Sequence, residues 1–235
     1  TYGAVFKVFL AKKLKGLPLI YKVGSSLFTL AGPRAVDQVH KYGGKVFLDL
    51  KFHDIPNTVL NAVESAARLG VYSVSLHLSG GAEMLKAAAA VKKRPLLWGI
   101  TVLTSFDEKS FARTGFKNKI EKTVFSLAAL AAGNGADGVV CSPREAAEMK
   151  KRFGTALQVI TPGIRLEAGG DPAAASGGYG TDDRWSEATQ INDQKRTLTP
   201  AEARAAGADL IVVGRPVLKA ADPAAAVRNI LEAIR

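Results

Sequence analysis

The sequence predicts an α/β fold, a TIM (β/α)8 barrel, and three observations carry that reading. Seven short β-branched runs alternate with longer alanine-rich runs of helical period. Several of the helical runs open on cap signals. The length, 235 residues, suits a single barrel domain spanning 1–235. Strand-helix alternation throughout a chain argues for parallel strands joined by right-handed crossovers. A doubly wound open sheet is the competing arrangement.

The strand candidates are Leu19 to Val23, Lys45 to Phe52, Tyr72 to Leu78, Leu96 to Leu103, Gly138 to Ser142, Leu157 to Pro162 and Leu210 to Val213. An eighth strand is harder to find. Val5 to Leu10 reads as a strand, yet Ala4 to Lys15 reads equally well as a helix running into Gly16 and Pro18. The first strand of the barrel is therefore expected to be missing from this chain or degenerate in it.

Helix signals are clearer. Ser142-Pro143-Arg144-Glu145 and Thr199-Pro200-Ala201-Glu202 each combine a capping box with proline at the first helical position. Ile120, Val124, Leu127, Ala128 and Ala131 form one apolar stripe, and Val227, Ile230, Leu231 and Ile234 form another. Residues 166 to 193 differ in kind, with glycine and alanine crowded between Ala168 and Gly180 and little periodicity. A loop of that length between the last two strand candidates reads as a functional lid.

Composition narrows the class. No run reaches the roughly 18–20 apolar residues of a membrane helix, and no signal-peptide zones open the chain, so a cytoplasmic protein without a membrane partner is expected. Cys141 is the single cysteine, which leaves no internal disulfide and no cysteine-based metal site, and its apolar surroundings predict a buried thiol. A net charge of +11 favours anionic partners in general. A phosphorylated small molecule needs only a few of those cations, and no nucleic-acid partner is expected. Lys7, Lys12, Lys13, Lys15 and Lys22 all precede the first acidic residue, Asp37, and read as a solvated basic face.

The chemistry concentrates in one strand. Along Lys45 to Phe52 the two-residue period puts Phe47, Asp49 and Lys51 on one face and Val46, Leu48 and Leu50 on the other. Both faces of a barrel strand are buried, so Asp49 and Lys51 must be paired. Asp54 follows at the strand-to-helix loop, the end of the barrel where such folds keep their chemistry. Lys22 closes the preceding strand candidate, in Tyr21-Lys22-Val23-Gly24. Two cations and two carboxylates would then alternate in one place. A buried ion-pair network, with Asp54 merely capping the next helix, is the structural alternative.

Phe47-Leu48-Asp49-Leu50-Lys51-Phe52-His53-Asp54-Ile55-Pro56-Asn57-Thr58 resembles the signature segment of the orotidine 5'-monophosphate decarboxylases. Further matches follow in the family's order: Lys22-Val23-Gly24, His77 with Ser79-Gly80-Gly81, Leu103-Thr104-Ser105, Thr161-Pro162-Gly163-Ile164-Arg165, Asp193-Gln194 and Val213-Gly214-Arg215-Pro216. A lone D-x-K-x-x-D is weak; ordered segments from about residue 20 to the C-terminus are specific.

The resemblance implies decarboxylation of orotidine 5'-monophosphate to uridine 5'-monophosphate in pyrimidine biosynthesis, with neither cofactor nor metal. In that family's pattern Lys51 stabilises and protonates the C6 carbanion, Asp49 sits against the departing carboxylate, and Lys22 and Asp54 complete the charged array. Ile55, Thr58 and Pro162 fall in the substrate-binding set, and Thr104 and Ser105 match residues at the pyrimidine edge. Arg165, Gln194, Gly214 and Arg215 match the phosphate grip. Asp54 and Thr58 reach the neighbouring subunit's site, which implies a homodimer with shared active sites.

Two departures from the family's pattern stand out. Members carry a ribose-holding aspartate at the end of the first strand, whereas no acidic residue precedes Asp37 here; that strand either lies upstream of Thr1 or has been replaced. The segment between Arg165 and Gln194 is also longer than the family's, and includes Tyr179 and Trp185. Competing functions are a related sugar-phosphate decarboxylase, aldolase or epimerase on the same barrel, an inactive barrel, and a non-catalytic basic protein that binds nucleic acid.

Overall fold

The computed structural model describes residues 10–166 and 197–235. Its seven strands are β1 (Ile20–Gly24), β2 (Lys45–Phe52), β3 (Ser73–His77), β4 (Leu96–Ile100), β5 (Gly138–Val140), β6 (Gln158–Thr161) and β7 (Leu210–Ile211). They form one parallel sheet in strictly sequential order, β1 through β7. A doubly wound sheet reverses its strand order at a switch point. Here no reversal occurs, so the runner-up arrangement fails.

The sheet is curled. Laid flat, seven strands would separate β1 from β7 by about 29 Å at the usual interstrand spacing. Instead Ile20 of β1 and Leu210 of β7 pack onto one inner cluster with Phe47, Trp98 and Ile160. Alternate residues serve the other layer: Val23, Val46, Leu48, Val74, Leu76, Leu97, Val139 and Val159 face the surrounding helices. Seven strands of a (β/α)8 barrel are thus in place among the described residues. Residues 10–13 are helical, which favours the helix reading over the strand for the end of that segment; residues 1–9 lie outside the described part.

Helix boundaries follow the cap signals. Thr199 and Glu202 form the expected reciprocal capping box at the helix Pro200–Ala205. Ser142 and Glu145 form theirs too, but it starts a single 3-10 turn, Pro143–Glu145, ahead of the helix Ala146–Phe153. In the helix Ile120–Gly133 the buried positions include Ile120, Val124, Ala128 and Ala131, with Leu127 half-buried at the edge of the stripe. Val227 and Ile230 are buried in the helix Pro223–Ala233, while Leu231 and Ile234 are half-buried. Cys141 is buried, as expected. Among the described residues no helix is long and apolar enough to cross a membrane.

At the amino ends of the strands, two aspartates tie neighbouring strands together. Asp137 accepts the Leu97 N–H and pairs with Arg94. Asp209 accepts the Val159 N–H and pairs with Lys150 at 2.6 Å. These clamps hold the end of the barrel opposite the charged cluster.

Candidate active site

β1 and β2 are parallel neighbours, with Lys22 level with Phe47 and Gly24 level with Asp49. Inward residues of adjacent strands stack in layers. Ile20, Phe47, Trp98, Val140 and Ile160 make an apolar floor, and one step toward the carboxyl ends come Lys22, Asp49 and Ser75. The large indole of Trp98, 4.6 Å from the Phe47 ring centroid, is accommodated because at its level β3 offers the small side chains of Ser73 and Ser75 to the interior.

Asp49 is 4% exposed. Its carboxylate lies between two ammonium groups: Lys22 Nζ is 2.7 Å from Oδ2, and Lys51 Nζ is 2.9 Å from Oδ2 and 3.0 Å from Oδ1. Both lysine side chains keep a solvent-facing part, 44% exposed for Lys22 and 35% for Lys51. Burial alone would push the Asp49 carboxyl up. The charges and hydrogen bonds of Lys22 and Lys51 outweigh it and hold the group below its ordinary value.

Lys51 reaches this side of the sheet by a route the strand period does not describe. Its φ is +55°, in the left-handed region, and the β2–β3 register slips between Leu48 and Phe52. For a residue with a long side chain such backbone costs roughly 1–3 kcal/mol and persists only when neighbours enforce it. Here the neighbour is Ser75. The Lys51 N–H, turned away from the ladder, donates to Ser75 Oγ at 2.9 Å, and the same hydroxyl donates to Asp49 Oδ1 at 2.8 Å.

His77 and His53 stand beside the array with ring centroids 5.4 Å apart. Burial first, then the charges of His53 and Lys51, push the His77 imidazole below its ordinary value, against a smaller opposing pull from Asp49. Two cations sharing one carboxylate leave a net positive site over an apolar floor. Such a site is built to stabilise negative charge developing on a bound molecule and to give it a proton.

Residues 7–230 match the model of the Orotidine 5'-phosphate decarboxylase / HUMPS family. This chain belongs to the orotidine 5'-phosphate decarboxylase family. The relative from Halorhodospira halophila, named orotidine 5'-phosphate decarboxylase, is 47% identical over 213 residues, covering 89% of this chain and 82% of the relative. That from Trichlorobacter lovleyi, of the same name, is 44% identical over 95% of this chain and 88% of its own length. The crystal structure of orotidine 5'-phosphate decarboxylase from Lactobacillus acidophilus superposes with a TM-score of 0.72 at 34% identity, covering 91% of this chain and 86% of that one.

Set against the decarboxylase family's pattern, the described residues bring Lys22, Asp49 and Lys51 into direct contact and leave the fourth charge apart. Asp54 is exposed, and its carboxylate accepts the Ile55 N–H at 2.7 Å. It does not cap the helix Pro56–Arg68, whose N-cap is Ile55. Ile55, 68% exposed, and Thr58, exposed in the first turn of that helix, continue the same rim. Thr104 is half-buried and Ser105 exposed in the turn after β4. Pro162 and Arg165 follow β6, where the Arg165 N–H donates to Leu198 O at 3.0 Å. Gly214 and Arg215, both exposed, open the short helix Arg215–Leu218 after β7. All these residues sit past the carboxyl ends of their strands. Gln194 and nearly all of the 166–193 loop lie outside the described residues.

Ser75 is the residue that sequence reasoning passed over. A signal existed: Ser73, Ser75 and His77 alternate with Val74 and Leu76 in a strand expected to be buried on both faces.

Proposed function

We propose that this chain decarboxylates orotidine 5'-monophosphate to uridine 5'-monophosphate in pyrimidine biosynthesis, without a cofactor. The observation that carries this reading is the Lys22–Asp49–Lys51 array, one buried carboxylate held within 3.0 Å of two ammonium groups at the mouth of the barrel. Decarboxylation at C6 of the pyrimidine leaves a carbanion without a good electron sink, so lowering the barrier rests on electrostatics. The Lys51 ammonium faces the developing charge, gives C6 the proton that replaces carbon dioxide, and recovers a proton from water. Asp49 adjoins the departing carboxylate and holds Lys51 in place.

The remaining roles follow the family's pattern. Thr104 and Ser105 meet the pyrimidine edge, with Ile55 and Pro162 completing the ring's surroundings. Arg165, Gly214 and Arg215, from loops after neighbouring strands β6 and β7, grip the phosphate dianion, for which guanidinium groups are the fitting donors. Gln194 joins that grip, and the 166–193 segment serves as its lid within a single 1–235 domain. Phosphate binding away from C6 can then be spent on the reacting carbon.

The protein works as a cytoplasmic homodimer with shared active sites. Support comes from the rim: Asp54 forms no ion pair among the described residues, and exposed Ile55 and Thr58 stand beside it. A cavity of about 400 Å³ there is lined by His53, Asp54, Ile55, Pro56, Ser79 and Gly80.

The sugar-phosphate enzymes on this barrel are the second reading. They typically hold a divalent cation on several acids at strand ends, and among the described residues no three His, Cys, Asp or Glu side chains are grouped to do so. The test is turnover in the presence of a chelator. Orotidine 5'-monophosphate is expected to disappear, followed by ultraviolet absorbance, with the chelator present. Turnover only of sugar phosphates, abolished by chelation, would reverse the assignment.

A further inference from the structure

The Ser75 hydroxyl is 0% exposed and uses both of its functions on the charged array. It donates its proton to Asp49 Oδ1 at 2.8 Å and accepts the Lys51 N–H at 2.9 Å. Both bonds fall where the β2–β3 register slips, between Leu48 and Phe52. Asp49 and Lys51 are linked a second time through their side chains. The four groups, Ser75 Oγ, Lys51 N, Lys51 Nζ and the Asp49 carboxylate, therefore close a ring.

We infer that Ser75 is a positioning residue for the decarboxylation centre, which fixes the left-handed turn at Lys51 and one oxygen of Asp49 so that the ammonium is aimed before substrate arrives. This rests on the function proposed above. Two backbone conformations compete at Lys51. At φ +55° Lys51 carries backbone strain, and relaxing to the strand region would relieve it while moving the side chain out of its present aim at Asp49. A single hydrogen bond from the Lys51 amide is what opposes that relaxation on the β3 side. The second bond, to Asp49 Oδ1, fixes the carboxylate plane, so that Oδ2 stays between the two ammonium groups. Preorganisation of this kind acts on the rate of the bound complex more than on binding, because substrate contacts made elsewhere are untouched.

The test compares wild-type protein with Ser75→Ala, Ser75→Cys and Ser75→Thr. Ser75→Ala is expected to lower kcat on the order of 10- to 100-fold with KM nearly unchanged. Ser75→Thr, which keeps the hydroxyl, restores most of it, and Ser75→Cys, of similar size with weaker bonds, falls between. Independently of turnover, carbon-detected NMR titration of Asp49 should show its protonation moving to higher pH in Ser75→Ala, since the ionised form has lost a donor. Wild-type kcat and an unmoved Asp49 titration in Ser75→Ala would overturn the inference. So would equal losses in folded Ser75→Ala and Ser75→Thr, which would make the effect one of packing. If wild-type protein itself left orotidine 5'-monophosphate intact, the functional reading would fail, while the Asp49 titration would still judge Ser75.

Discussion

Lys22 Nζ lies 2.7 Å from Asp49 Oδ2, spanning two neighbouring strands with the most buried carboxylate of the array between it and Lys51. Either lysine alone would balance the charge of Asp49, but the buried carboxylate would lose a hydrogen-bond donor. Lys22→Ala should therefore destabilise the protein by about 1.5–3 kcal/mol, the range of a hydrogen bond to a charged group, in a urea unfolding series. The lower end applies because the Lys22 side chain is 44% exposed. A larger effect is expected on kcat, since the array loses one of its two positive charges.

The pH dependence of the centre has a definite sign. Asp49 titrates below its ordinary value in the folded chain, so the unfolded chain binds protons first as pH falls. Its contribution to stability is complete above the ordinary carboxylate value of about 3.9 and is lost as pH drops through the depressed folded value. Thermal unfolding from pH 6 to pH 3 should show this loss, and Asp49→Asn should flatten that part of the curve.

His77 acts in a higher window. Burial and then the charge of His53 depress its folded value, so its contribution is complete above about 6.5 and declines as pH falls through the folded value. The unfolding midpoint of wild-type protein should drop between pH 7 and pH 5 more than that of His77→Gln. Equal slopes for both proteins would contradict the assignment.

Ser73 provides a contrast with Ser75. Among the described residues its hydroxyl is buried without a hydrogen-bond partner, although its strand neighbour two residues on is fully used. Ser73→Ala should leave stability unchanged or raise it, because an unsatisfied buried hydroxyl is removed without leaving a partner stranded. Calorimetric midpoints of the two proteins check this, and a loss exceeding about 1 kcal/mol would sink it.

Shared active sites can be tested by mixing. Lys51→Ala and Asp54→Asn proteins, each impaired alone, should regain activity together when subunits exchange, up to about a quarter of wild type, since each mixed dimer rebuilds one of its two sites. No recovery despite proven exchange would place Asp54 in its own subunit's chemistry.

Much of this was legible in the residues, for identifiable reasons. Strand periodicity located Phe47 and Asp49 inside because alternate side chains in a paired strand have no choice of face. It brought Lys51 to the correct side without its mechanism, since a left-handed lysine is imposed by Ser75 and the slipped register, neither of which is local. Thr199 and Ser142 announced their helices because capping boxes are made within four residues; that Ser142 opens a 3-10 turn depends on packing further away. Leu96 to Leu103 overshot the observed β4 because the chain leaves the ladder after Ile100, and Thr101 to Leu103 run on toward the rim. Asp54 could not be read as an exposed rim residue, since spacing places it in a loop and says nothing of its neighbours.

If Lys51 is the group that meets the carbanion, turnover of orotidine 5'-monophosphate by Lys51→Ala beside wild type, followed by ultraviolet absorbance with a chelator present, shows it. Wild type should consume the substrate steadily, and folded Lys51→Ala should show no measurable consumption. Undiminished consumption by Lys51→Ala would contradict that role.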